Sequence, residues 1–206
     1  MTPRIYFIHG LGSLPTTASG VRLDAATGIP STKLSYNAAG TWEENILSLQ
    51  QQTEDADSNS IFVGESMGGF FAAQLAAQYK ARCYLLNPAT VPAHQLLQFV
   101  GPFTIDGGTV VNITVEAVQS YNAALDPRRA NTINKFGLML SYEDELITPN
   151  DAAAYYANWS AFIDWVHDGH GIAQDSSYDI IGARINAWGM DTAFPRSLVY
   201  QQQQSG

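Results

Sequence analysis

Short runs of apolar, β-branched and aromatic residues recur along the chain at 5–8, 33–36, 61–63, 83–86, 137–140 and 162–166. Within each run the apolar content is nearly continuous rather than alternating, as expected of strands covered on both faces. Between them, residues 42–52, 68–79, 150–159 and 177–188 carry helix-like patterns. Regular alternation of strand and helix predicts an α/β architecture: a mostly parallel sheet of about six strands with helices on both faces.

One stretch breaks the rhythm. About residues 89–134 intervene between the fourth and fifth predicted strands. Inside it, apolar runs at 103–105 and 110–113 flank Asp106-Gly107-Gly108-Thr109, a hairpin signal, with helix-like pieces at 93–100 and 115–124. An excursion above the strand ends is placed to act as a cap over a substrate, and the plainer alternative is a peripheral decoration. Residues 201–206 read as a disordered polar tail, which leaves a single α/β domain over 1–200.

Composition narrows the class. The 206 residues are 46% hydrophobic and 14% charged, enough apolar content for one core. Ten basic against nineteen acidic side chains give a net charge of −9, which disfavours nucleic acid as a partner. Cys83 stands alone in an apolar run, so the sequence offers no internal disulfide and no cysteine metal cage. No stretch approaches the ~20 apolar residues that cross a bilayer. The start of the chain has no signal-like apolar region, and the expectation is a cytoplasmic protein.

The most specific chemistry lies at 61–70. An apolar strand leads into Gly64-Glu65-Ser66-Met67-Gly68 and then into a helix rich in Ala and Leu. A sharp strand-to-helix turn holds the serine in a strained backbone conformation and leaves no room for neighbouring side chains, which explains the glycines. The helix N-terminus behind Ser66 favours developing negative charge.

A serine hydroxyl needs a base within hydrogen-bond reach, and the choice lies between His167 and His170. His170 is flanked by Gly169 and Gly171 beyond the last predicted strand, free to curl over the sheet edge, whereas His167 sits at the strand end. The base in turn needs a carboxylate. Asp144 follows the predicted strand 137–140 and precedes Thr148-Pro149, the cap and first-turn proline of the next helix; Glu143 and Glu145 are the alternatives. The order Ser66, Asp144, His170 is that of α/β-hydrolases. His9-Gly10-Leu11-Gly12-Ser13 follows the first strand, where this fold places its oxyanion loop, so the backbone N–H groups of Leu11 and Met67 are the expected donors. On this reading His9 shapes the loop.

With these pieces in place the sequence resembles the YqiA-like family of small bacterial esterases in the α/β-hydrolase superfamily. The resemblance rests on Ile8-His9-Gly10-Leu11-Gly12-Ser13, Gly64-Glu65-Ser66-Met67-Gly68-Gly69, Leu86-Asn87-Pro88-Ala89, Asp144-Glu145 followed by Ala154-Tyr155-Tyr156, and Gly169-His170. It implies a Ser66, Asp144, His170 triad and hydrolysis of short or medium acyl esters or thioesters. Two stretches depart from the family pattern: the region after Ser13, with Gly20, Gly28 and Pro30, reads as weakly helical, and the insertion matches only at its start.

The expected partner is a small-molecule acyl ester or thioester, with no cofactor and no metal; the oligomeric state is left open. Amide hydrolysis or acyl transfer could run on the same residues, and a ligand receptor that keeps the fold is the reading from a different class.

Overall fold

The computed structural model describes residues 2–130 and 135–189; the tail at 201–206 and the end of the insertion lie outside them. In chain order the strands are β1 (Ile5–Ile8), β2 (Ser31–Leu34), β3 (Ile61–Glu65), β4 (Arg82–Leu86), a hairpin of β5 (Gly101–Thr104) and β6 (Val110–Ile113), then β7 (Phe136–Ser141) and β8 (Ser160–Val166). Six of them form one sheet in the order β2-β1-β3-β4-β7-β8, every neighbouring pair parallel, while β5 and β6 make a separate antiparallel ladder. The strand order reverses between β1 and β3, and such a switch point opens a crevice at the carboxyl ends of the strands.

The helices are α1 (Ala18–Thr27), α2 (Trp42–Gln52), α3 (Met67–Tyr79), α4 (Pro92–Gln95), α5 (Val115–Ser120), α6 (Pro149–Tyr156) and α7 (Asp175–Gly189). Alternate residues of each strand feed two cores. Tyr6, Ile8, Phe62, Cys83 and Leu85 pack with α2, α3 and α6 on one face. Ile5, Phe7, Val63, Tyr84 and Leu86 pack with Leu23 of α1 and Ile181 and Ile185 of α7 on the other. Burial on both faces accounts for the continuous apolar runs. Helix α3 is itself buried from Met67 to Ala76, as a helix apolar all round must be.

The structure corrects the sequence reading in two places. The stretch after Ser13 is a helix: Thr17 caps α1 by accepting the N–H of Gly20, and Gly28 ends it with φ 67°. Gly20 lies where α1 crosses the stem of Lys33 and the ring of Phe7, so its missing side chain permits close packing there. The second strand runs Ser31–Leu34, two residues earlier than expected, because Ile5 to Ile8 of β1 pair with Ser31 to Leu34; Tyr36 falls past the ladder and stacks on His9 with ring centroids 4.8 Å apart.

The insertion after β4 starts with α4 and a short 3-10 turn (Leu96–Phe99), continues through the β5–β6 hairpin, and returns through α5 and two further 3-10 turns. No helix among the described residues is long and apolar enough to cross a membrane.

Candidate active site

Ser66 occupies the turn between β3 and α3 with φ 55° and ψ −120°. This is a region that non-glycine residues rarely visit and that costs of order 1–3 kcal/mol. The surrounding backbone holds it there: Ser66 N–H donates to Leu86 O at 2.9 Å, and Ser66 O accepts from Gly69 N–H at 2.9 Å and Ala89 N–H at 3.0 Å. A side chain at Gly64 would put its first carbon 2.2 Å from Gly68 O, and one at Gly68 would lie 2.1 Å from Ile8 O. Glycine at 64 therefore lets the turn close on itself, and glycine at 68 lets it press against β1.

The Ser66 hydroxyl lies 2.8 Å from Nε2 of His170, and Nδ1 of the same ring lies 2.9 and 3.0 Å from the two carboxylate oxygens of Asp144. Three segments far apart in sequence thus meet in one line. The Asp144 side chain is 1% exposed and that of His170 12%. Oδ1 of Asp144 also accepts the N–H groups of Leu146 and Ile147, which anchors the carboxylate in its loop.

The other two acids of the loop go elsewhere. Glu143 accepts from Nδ1 of the exposed His167 at 2.7 Å, and Glu145 accepts the backbone N–H of His170 at 2.9 Å. His167, one residue beyond β8, points to the surface against the Tyr142 ring and away from Ser66.

His9 is buried, with Nδ1 2.9 Å from Gly10 O, and burial lowers the titration of the imidazole from its ordinary range. Gly10 abuts Ser66, since a side chain there would come within 3.5 Å of Ser66 Cβ. Leu11 and Met67 both line the cavity at Ser66.

That cavity measures about 370 Å³. Ser66 and His170 form part of its wall, with Leu11, Leu146 and Ile147 from the sheet loops and Leu96, Phe99 and Phe103 from the insertion. Glu65 faces it too; desolvation raises its carboxyl above the usual range, although it accepts the N–H of Ile172. Sequence reasoning gave no role to Glu65 or to Asn87, whose carboxamide bonds to the His170 loop. Among the described residues, no group of three His, Cys, Asp or Glu side chains is placed to hold a metal ion.

The sequence profile of an uncharacterised protein family, UPF0227, matches residues 4–178. The chain belongs to this family. No curated protein matches this UPF0227 chain significantly by sequence. Its fold is that of solved α/β-hydrolases. Est1E from Butyrivibrio proteoclasticus superposes with a TM-score of 0.66 at 14% identity, over 92% of this chain and 87% of that one. The Paleococcus ferrophilus monoacylglycerol lipase gives 0.62 at 14%, over 91% and 96%, and the Pyrobaculum calidifontis esterase 0.60 at 15%, over 90% and 77%. Est1E has also been solved with ferulic acid bound. The UPF0227 chain therefore has the α/β-hydrolase fold and resembles esterases and lipases at low identity.

Proposed function

We propose that this protein is a serine hydrolase that cleaves short- to medium-chain carboxylic esters through an acyl-enzyme on Ser66. The observation that carries the proposal is the unbroken line of hydrogen bonds from Ser66 Oγ through the His170 ring to Asp144. With Nδ1–H donated to the carboxylate, Nε2 is left unprotonated toward the hydroxyl, the tautomer a general base requires.

Ser66 Oγ attacks the ester carbonyl as its proton passes to Nε2. The imidazolium, stabilised by Asp144, then gives that proton to the departing alcohol. Water repeats the sequence on the acyl-enzyme and frees the acid. The N–H groups of Leu11 and Met67 are the proposed oxyanion donors, the latter at the N-terminus of α3, where partial positive charge gathers.

The cavity supports a compact acyl group. About 370 Å³ lies at the low end of the roughly 300–1,000 Å³ typical of ligand pockets, and its apolar wall suits an alkyl or aryl chain. The presence of Leu96, Phe99 and Phe103 in its wall supports a role for the insertion as a cap over that chain. Ferulic acid binds to Est1E, a reason to assay aryl-acyl esters beside straight-chain ones.

The test is labelling with a fluorophosphonate together with turnover of a p-nitrophenyl ester series of increasing chain length. Ser66→Ala should fold normally, lose the label and lose roughly 10⁴-fold or more in turnover. Wild-type protein that takes no label is a receptor rather than a hydrolase, and a folded Ser66→Ala variant retaining a tenth of the activity ends the mechanism.

A further inference from the structure

The stretch Leu86-Asn87-Pro88-Ala89 is absorbed only in part by the chemistry above: Ala89 ties to the carbonyl of Ser66, but Asn87 touches no reacting atom. Asn87 is 1% exposed, follows β4, and holds φ 41°. Its backbone N–H donates to Met139 O of β7 at 2.9 Å. Its side chain does two things at once. Oδ1 accepts the N–H of Ser141, the last residue of β7, at 2.8 Å. Nδ2 donates to the carbonyl of Gly169 at 3.2 Å and to that of His170 itself at 2.8 Å.

We infer that Asn87 is the positioning residue for the His170 base, a carboxamide strut that sets the distance between the segment carrying Asp144 and the loop carrying His170. The inference rests on the hydrolase reading above for the role of those two side chains. Ser141 stands just before the Asp144 turn, so one planar amide ties together both sides of the acid–base pair. A glycine-flanked loop has little stiffness of its own, and the strut supplies it from below, while Glu145 and Glu65 take the N–H groups of His170 and Ile172.

Only asparagine meets every requirement here. The bonds need an acceptor and two donors on a side chain one carbon long. The left-handed backbone is open to asparagine at lower cost than to most residues. Aspartate has the shape and backbone tolerance but turns a carboxylate toward two carbonyl oxygens. This separates positioning from packing: packing alone makes Asn87→Asp the mildest change, whereas a strut makes it among the worst.

The experiment compares Asn87→Asp with Asn87→Gly, the latter relaxing the positive φ while deleting the amide. Activity is expressed per site titrated by a fluorophosphonate, and the proton spectrum is followed for the downfield resonance of the His170 Nδ1–H held by Asp144. Both variants should lose kcat by roughly 10²-fold, the scale of a small misplacement of a catalytic group, with KM changed by less than about threefold. The resonance should broaden or vanish in folded protein. The spectrum reads the loop without turnover, so absence of esterase activity in the wild type would overturn the function while leaving this measurement interpretable. A kcat per site within about threefold of wild type in Asn87→Asp, with the resonance intact, overturns the strut. Should neither variant fold, hydrogen exchange on the wild type decides: the Ser141 amide must be protected to the level of the sheet, and fast exchange there refutes the bond on which the inference stands.

Discussion

On the proposed mechanism the imidazole 2.8 Å from the Ser66 hydroxyl is its base, so His170→Ala should abolish nearly all ester turnover. His167→Ala loses a surface hydrogen bond to Glu143 and a ring contact with Tyr142 and should change turnover by less than about tenfold. Kinetics on both variants, with circular dichroism as a check on folding, would reverse the roles if the losses came out the other way round. The same logic separates the neighbouring acids: Asp144→Asn should lower kcat by about 10⁴-fold, while Glu143→Gln should not. His9 yields a prediction of another kind. Burial lowers its titration from the ordinary 6.5, so between the two values the unfolded chain binds a proton that the folded chain refuses. That linkage makes stability rise with pH through this window and fall as the pH drops through about 6.5. Replacing His9 with Phe preserves a ring against Tyr36 and should flatten this part of the stability profile. Urea unfolding at pH 5.5 and 7.5 measures it, and an unchanged slope between the two would show that His9 does not contribute.

The turn from β3 into α3 concentrates the steric demands of the fold. Gly68 faces Ile8 O and His9 O at 2.1 and 2.4 Å from where a side-chain carbon would stand, and backbone oxygens cannot swing aside as a flexible side chain can. Gly68→Ala should therefore cost about 3 kcal/mol or prevent folding. A loss below about 0.5 kcal/mol in urea unfolding would mean that the contact with β1 relaxes easily. Weak helical character in the sequence of α1 did not keep it from folding as a helix. Its Thr17 and Gly28 caps satisfy the ends, and its contact with α7 covers Leu23, so tertiary burial outweighs the few tenths of a kcal/mol that separate ordinary helix propensities.

Across the whole molecule, the loops at the strand ends carry Ser66, Asp144 and His170, the proposed nucleophile, acid and base, and the insertion furnishes much of the apolar wall. Phe103 also packs against Gly12 and so joins the hairpin to the loop after β1. Truncating Phe99 to Ala should widen the cavity and raise the preference for longer over shorter acyl chains by roughly tenfold, the scale of a methylene or two in an apolar pocket. A chain-length profile identical to wild type would remove the insertion from substrate selection. The strand–helix alternation, the hairpin and the Gly-x-Ser-x-Gly turn were legible in the sequence, because each depends on periodicity or sterics within a few residues. Chain order and loop position also singled out Asp144 and His170, but did not show where the flanking acids go. Three adjacent acids, Glu143, Asp144 and Glu145, differ by a single step along one turn, yet the fold sends them to His167, to the His170 ring and to the His170 backbone. The use of Asn87 was likewise invisible, since its partners lie 54 and 83 residues away. Local sequence carries chemistry and secondary structure, because those follow from a residue and its near neighbours. The distances that bring His170 to Ser66, Asn87 to the His170 loop and the insertion to the cavity arise only when parallel pairing of β3, β4, β7 and β8 brings their carboxyl ends to one side of the sheet.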